Sequence, residues 1–385
     1  MCHGCNSMQW KHIKDVTTFS WDFLKIVLRN NSGNVVTSPL SVSVLLAMVQ
    51  QGAEGATLSQ LTTVLRAAPP ENLQDFSQLS HCYKLGKKKA LFYFENGMFV
   101  EQMKELKSHF FNTIVHDFLA DITEVDFMND KKQCIKNINN WASAHTNGTI
   151  TNVITQDAIN KNTNLVLLNV IYFKDIWRKV FTDLRPLQFN QPGSVSSNVT
   201  GMFLLTKLIA NKNKNIGIKW VSLPFRDSQF SLLVILPIKK NALEIVTQTL
   251  TGNNLHEIIE DRTENMVQLA LPKFKLETNQ DCIPVLRELG VTHLFSLAEA
   301  NLSSIMLTKT EVNFVYVSYV GNKVEFEVDE NGATATIAAN VAGTEGRTRD
   351  SIMDFHANHP FLVFLIDNIN RLPLLAGRVS DPSQR

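Results

Sequence analysis

The stretch Asn331 through Thr344 contains no charged residue, and it begins where a strand should stop. Before it, Val324, Phe326 and Val328 alternate with Lys323, Glu325, Glu327 and Asp329, the period of a strand with one buried face. A strand of this kind normally runs into polar turn residues. Here Gly332 leads instead into Ala, Thr and one Ile, and the next charge is Glu345, followed by Arg347 and Arg349. A loop that only faces water has no reason to avoid charge over such a length. A segment that later enters a sheet does, because burying an unpaired charge is costly. The pattern is that of a loop held outside and built to become a strand.

The rest of the chain supplies a body large enough to receive it. At 385 residues, 44% hydrophobic and 19% charged, it has the material for a substantial core. A net charge of +1 gives no electrostatic case for a nucleic-acid partner. No run approaches the roughly 18 apolar residues of a membrane span. Five cysteines, Cys2, Cys5, Cys82, Cys134 and Cys282, leave at least one unpaired in a monomer, so they do not form a disulfide framework. Cys2 and Cys5 have CxxC spacing but no βαβ context, and read as part of a frayed terminus. Asn30, Asn147, Asn198 and Asn301 open N-x-S/T sequons. No signal peptide is visible in this numbering, but the sequons favour secretion, so the expectation is an extracellular glycoprotein.

Residues 11–145 are mostly helical in pattern. Ser38-Pro39 opens a clear helix with Leu40, Val44, Leu45, Met48 and Val49 on one face, ended by Gly52 and Gly55. Phe118–Asp126 and the segment after it mix strand and helix patterns. Residues 165–173, 202–237 and 266–278 are strand-rich, and 282–294 reads as an amphipathic helix. The chain closes on a hairpin, Phe361–Ile366 and Leu372–Val379. Helices first and strands later, with no linker between, predict a single α+β domain over 1–385. Catalytic motifs are missing: the sequence has no HExxH, GxSxG, P-loop or GxGxxG, and no spacing that suggests a metal or cofactor site. An enzyme is not expected.

Several segments together resemble the serpin family over essentially the whole chain. Thr37-Ser38-Pro39-Leu40-Ser41-Val42-Ser43 and Gly52-Ala53-Glu54-Gly55-Ala56-Thr57 resemble its helix B and the turn beyond. Asn169-Val170-Ile171-Tyr172-Phe173-Lys174, with Trp177 and Phe181, resembles its signature strand 3A. Leu223-Pro224-Phe225, Leu271-Pro272-Lys273-Phe274-Lys275, Phe355–Phe361 and Gly377-Arg378-Val379 resemble its later landmarks. The resemblance implies three β-sheets, about eight or nine helices and an exposed reactive-centre loop at about 330–354. It also implies a suicide-substrate inhibitor of a serine protease, one that traps the acyl-enzyme by inserting its cleaved loop into the main sheet. The alternative within the family is a non-inhibitory carrier, chaperone or receptor ligand.

On this sequence the implied hinge is Glu330, Gly332, Ala333, Thr334, Ala335, Thr336 and Ala338. Counting from the hinge glycine puts the bait residue at Gly346, whereas counting back from Phe355 puts it near Arg349. Arginine suits a trypsin-like pocket. The favoured bond is Arg347–Thr348, since Gly346 before it resembles sites cut by Arg-specific cascade proteases; Arg349–Asp350 is the alternative. Ser41, Ser43, Asn169 and Asn322 are expected to form the buried polar network that the family calls the shutter. Lys84, Lys87, Lys88 and Lys89 fall near the implied end of helix D, where some members bind heparin, and form a candidate site for a heparin-like polysaccharide. Ala333 stands where inhibitory members usually have Thr or Ser, Asn322 where His is common, and Asp175 where Gly is usual. Ile337 is large for its place and is expected to slow insertion.

Overall fold

The computed structural model describes residues 12–86, 90–102, 105–191, 193, 196–307, 315–333 and 352–384. In chain order the elements are α1 (Ile13–Asn30), β1 (Val35–Thr37), α2 (Pro39–Gln50), α3 (Gly55–Leu65), α4 (Pro69–Leu85), β2 (Leu91–Glu101), β3 (Glu105–Leu106), α5 (Ser108–Asn112), β4 (Asp121–Val125), α6 (Lys131–His145) and β5 (Leu165–Ile176). They continue with β6 (Asp183–Asn190), β7 (Ser196–Asn213), β8 (Ile218–Pro224), β9 (Phe230–Pro237), α7 (Leu243–Thr249), α8 (Gly252–Glu260), β10 (Glu264–Pro272), β11 (Phe274–Asp281), α9 (Ile283–Glu288) and β12 (Met306–Leu307). The last are β13 (Val317–Val328), β14 (Gly332–Ala333), β15 (Met353–His356), β16 (Phe361–Asp367) and β17 (Leu372–Val379). The α+β class expected from the sequence holds, with nine α-helices and three sheets among the described residues.

α2 starts where Ser38-Pro39 says it should. Ser38 Oγ accepts from the Ser41 N–H at 3.3 Å, and Pro39 occupies the first turn, where a missing N–H costs nothing. The one-faced stripe read from the sequence is too narrow, however. All residues of α2 are buried, because it is enclosed by α1, α3, α4, β5, β13 and β17. The helical reading of 11–145 also misses β2, which is buried on both faces over most of its length and therefore shows little alternation. The helix expected over 282–294 stops early. Gly290 takes a left-handed φ of +106°, and a short 3-10 turn at His293–Phe295 follows.

The six-stranded sheet runs β11-β13-β14-β5-β2-β4, and β13 also pairs directly with β5 in parallel, from Val317 opposite Leu165 to Glu325 opposite Tyr172. Alternation along its strands gives it two buried faces. Leu165, Leu167, Ile171, Phe173, Val320, Val324 and Phe326 belong to the main core shared with α2. Phe99, Val166, Leu168, Val170, Tyr172 and Tyr319 lie in a second core under α6 and residues 150–159. The nine-stranded sheet runs β1-β17-β16-β9-β8-β7-β10-β15, with β6 on β7, and closes the other side of the main core; β12 and β3 form the third.

Candidate functional site

At the top of the β13–β5 seam the two strands part and the short β14 lies between them. It pairs antiparallel with β5, Gly332 opposite Ile176 and Ala333 opposite Asp175. It also pairs with β13, Ala333 opposite Val328. The turn that delivers it is built by Asp329, whose Oδ1 accepts from the N–H groups of Asn331 at 2.7 Å and Gly332 at 3.0 Å. Glycine is required at 332 by close approach. A Cβ there would sit 2.1 Å from the Asp175 carbonyl oxygen and 2.5 Å from the Ile176 Cα, both backbone atoms that cannot move aside. Ala333 is fully buried.

The turn is held from the segment that follows β5. Trp177 N–H donates to the Asn331 carbonyl at 2.8 Å, its indole Nε1–H donates to the Asp329 carbonyl at 2.8 Å, and Phe181 N–H donates to the Glu330 carbonyl at 3.0 Å. The indole stacks on Phe225 at 4.5 Å with 9° between the planes. Lys273 Nζ lies 2.5 Å from Glu330 Oε2. Partial burial pushes the Glu330 carboxyl up, but the Lys273 hydrogen bond and charge outweigh this and hold it below the usual range. Asp175 is buried. Its Oδ2 accepts from the Asp227 N–H at 2.8 Å, and its burial raises its pKa. It ties the 226–227 turn to the end of β5 beside β14.

Lower on the seam, Asn169 of β5 faces Asn322 of β13, and Asn322 Nδ2 donates to Asn169 Oδ1 at 3.5 Å. Asn169 Nδ2 donates to Asn96 Oδ1 at 2.9 Å and to the Glu95 carbonyl at 3.0 Å. Asn322 Oδ1 accepts from Thr37 Oγ1 at 3.1 Å and from the Ser38 N–H at 2.9 Å. Ser38 Oγ in turn donates to the Leu374 carbonyl at 2.7 Å and lies 2.6 Å from Ser41 Oγ. Of the four expected members, Ser41, Asn169 and Asn322 are brought together. Ser43 is not. Its hydroxyl donates to the Leu40 carbonyl of its own helix at 2.7 Å, since residues two apart on a helix point different ways. Thr37, Ser38 and Asn96 were missed. Asn96 lies opposite Asn169 only through strand register, which no local pattern reveals.

Of the lysine cluster, Lys84 is turned inward onto Glu95, Nζ to Oε2 2.7 Å, and is committed to an ion pair. Lys87, Lys88 and Lys89 lie outside the described residues, as do Thr334, Ala335, Thr336, Ile337, Ala338, both candidate bonds (Arg347–Thr348 and Arg349–Asp350), Cys2 and Cys5. Asn30, Asn147, Asn198 and Asn301 are all exposed. Cys82, Cys134 and Cys282 are buried and unbridged.

A family model described as serpin (serine protease inhibitor) matches residues 14–382. The chain belongs to the serpin family. It is 34% identical to the leukocyte elastase inhibitor of Xenopus tropicalis, across 95% of this chain and 98% of that one. Among solved structures, serpin-12 of Manduca sexta superposes with a TM-score of 0.86 at 27% identity, covering 96% of this serpin and 99% of the insect one. An Arabidopsis serpin in its native stressed conformation superposes equally well, TM-score 0.86 at 26% identity, covering 97% and 98%.

Proposed function

We propose that this serpin inhibits a trypsin-like serine protease, once per molecule, by inserting its cleaved loop between β5 and β13. The observation that carries the reading is the register of β14. Gly332 lies opposite Ile176 and Ala333 opposite Asp175. Continued residue by residue, an inserting strand would bring Ala335 opposite Phe173, Ile337 opposite Ile171, Ala339 opposite Asn169, Val341 opposite Leu167 and Gly343 opposite Leu165, where β5 begins. Those β5 residues point to the side of α2. The inner side of the new strand would then be Ala333, Ala335, Ile337, Ala339 and Val341, none of them polar. The outer side would be Thr334, Thr336, Ala338, Asn340 and Ala342, toward α6. Glu345, the first charge, would fall two positions beyond Leu165, past the end of the strand. The uncharged run thus matches the seam in both length and alternation.

The chemistry starts as ordinary proteolysis. The protease serine Oγ attacks the carbonyl carbon of Arg347, the Thr348 amine leaves with a proton, and an ester joins the two proteins. Release of Thr348 frees the loop end. A strand the length of β5, 12 residues at about 3.3 Å each, would carry the ester about 40 Å. Displacements of about 1 Å already cost catalysis heavily, so deacylation stops. Arg349–Asp350 is the second candidate bond. Secretion is part of the proposal; all four sequon asparagines are exposed, as glycosylation requires. Lys84 being held by Glu95, a sulfated polysaccharide would have to be bound by Lys87, Lys88 and Lys89. The reading is tested by equimolar incubation with trypsin, followed by denaturing gel and mass spectrometry. A covalent band near the summed mass, with a released peptide starting at Thr348, supports it. A start at Asp350 moves the bait to Arg349. Cleavage with no covalent band and active trypsin counts against inhibition.

A further inference from the structure

A cavity of about 910 Å3 lies between α1, α7 and the strand termini at Pro360 and Arg378, and it shares no residue with the hinge or the seam. Its size falls within the range of about 300–1,000 Å3 typical of small-molecule sites. The apolar part of its wall is aliphatic: Ile26, Leu28, Leu243, Leu289 and Pro360, with no aromatic ring among the described lining residues. An alkyl chain fits such a wall better than a flat ring system, which would find nothing to stack on.

The charges around it do not cancel. Asp22 is neutralised by Arg66 at 3.0 Å, and Arg29 by Glu288. Among the described residues Arg378 has only neutral partners. Its guanidinium donates to the carbonyls of Gly33 (3.0 Å from Nε), Leu28 (3.2 Å) and Asn31, capping the end of α1, and one Nη1 N–H has no partner among the described residues. Lys25 and Lys240 line the same cavity without an ion-pair partner among the described residues. Among the described lining residues left without a salt bridge, Glu244 alone stands against Lys25, Lys240 and Arg378.

We propose that this cavity binds a long-chain alkyl carboxylate, with the chain along Ile26, Leu28, Leu243 and Leu289 and the carboxylate at Lys25 and Lys240, beside Arg378. The inference is independent of protease inhibition. Sodium dodecanoate, below its micelle concentration, is titrated into the whole native protein by calorimetry, with dodecyltrimethylammonium as the cationic control. One saturable site for dodecanoate is expected, with no matching site for the ammonium. The double variant Lys25→Glu, Lys240→Glu should melt like the parent and bind dodecanoate roughly tenfold more weakly or worse. Leu243→Lys, which fills the chain's place with a charged stem, should also weaken binding. No saturable heat, equal uptake of the ammonium, or unchanged affinity in both variants would overturn the assignment.

Discussion

Asn322 Nδ2 and Asn169 Oδ1 meet across the seam of two parallel strands at 3.5 Å, the long end of the hydrogen-bond range, while each asparagine is anchored more tightly to its own side of the seam. This is the longest hydrogen bond of the described polar network, and it lies where a new strand would have to pass. The shorter bonds, from Asn169 to Asn96 and from Ser38 to Asn322, can persist with the seam open or shut. Replacing Asn322 with Ala would leave the Ser38 N–H, the Thr37 hydroxyl and Asn169 Oδ1 short of a buried partner. Each such loss costs about 1–3 kcal/mol. The expected result is a clear fall in the melting temperature of the native protein, read by circular dichroism.

Ala333 is buried at the mouth of the slot between Asp175 and Val328. Ala333→Arg would put an unpaired cation where the native sheet already buries residue 333, so β14 would be expelled from the slot and could not re-enter to lead the rest of the loop in. Trypsin should then cut the variant as a substrate and remain active, with the covalent band lost from the gel. A trapped protease would break the link between the slot and inhibition.

Ile337 would take the inner position beside Ile171 and Val324, both fully buried. Ile337→Ala is expected to insert faster, measured as a higher rate of complex formation. The cleaved, inserted form should be weaker by about 2–5 kcal/mol, the usual cost of truncating a buried aliphatic side chain. Denaturant unfolding of the cleaved protein checks this.

α6 is pinned to the sheet edge by charge. His145 Nε2 lies 2.9 Å from Asp121 Oδ2, and Trp141 Nε1–H donates to the same oxygen at 2.8 Å. The hydrogen bond to Asp121 raises the His145 pKa, helped by Glu95, and the same bond lowers that of Asp121, helped by Lys84. His145 therefore stabilises the fold fully below its unfolded value of about 6.5 and loses this as pH rises through its higher folded value. Asp121 stabilises above about 3.9 and loses this as pH falls through its lower folded value. The pair contributes most between about pH 4 and 6.5, by under about 1 kcal/mol for so exposed a pair. His145→Gln should lower the melting temperature more at pH 6 than at pH 8.5.

Much of this was legible in the sequence, because the signals are local. Ser38-Pro39 marks a helix start by capping chemistry, and the uncharged run that opens at Asn331 enters the sheet at Gly332–Ala333. What stayed hidden depends on contacts distant in sequence. Asn96 joins the polar network only through the pairing of β2 with β5. Trp177 stands beside a strand signature in the sequence, but its two bonds to the hinge turn require that turn to fold back over it. Lys84 read as one of a basic run, and Glu95 turns it inward. Ser43 looked like Ser41, and helical geometry separates them.

The central claim is that the loop from Gly332 onward belongs to the seam once it is cut. The most direct measurement is the melting temperature of the native protein beside that of protein cleaved between residues 344 and 350 by catalytic amounts of a protease it does not trap. Insertion adds a full strand to the sheet, so the cleaved form should melt far above the native one. Identical melting of the two forms would mean the loop stays outside, and the proposed mechanism would be wrong.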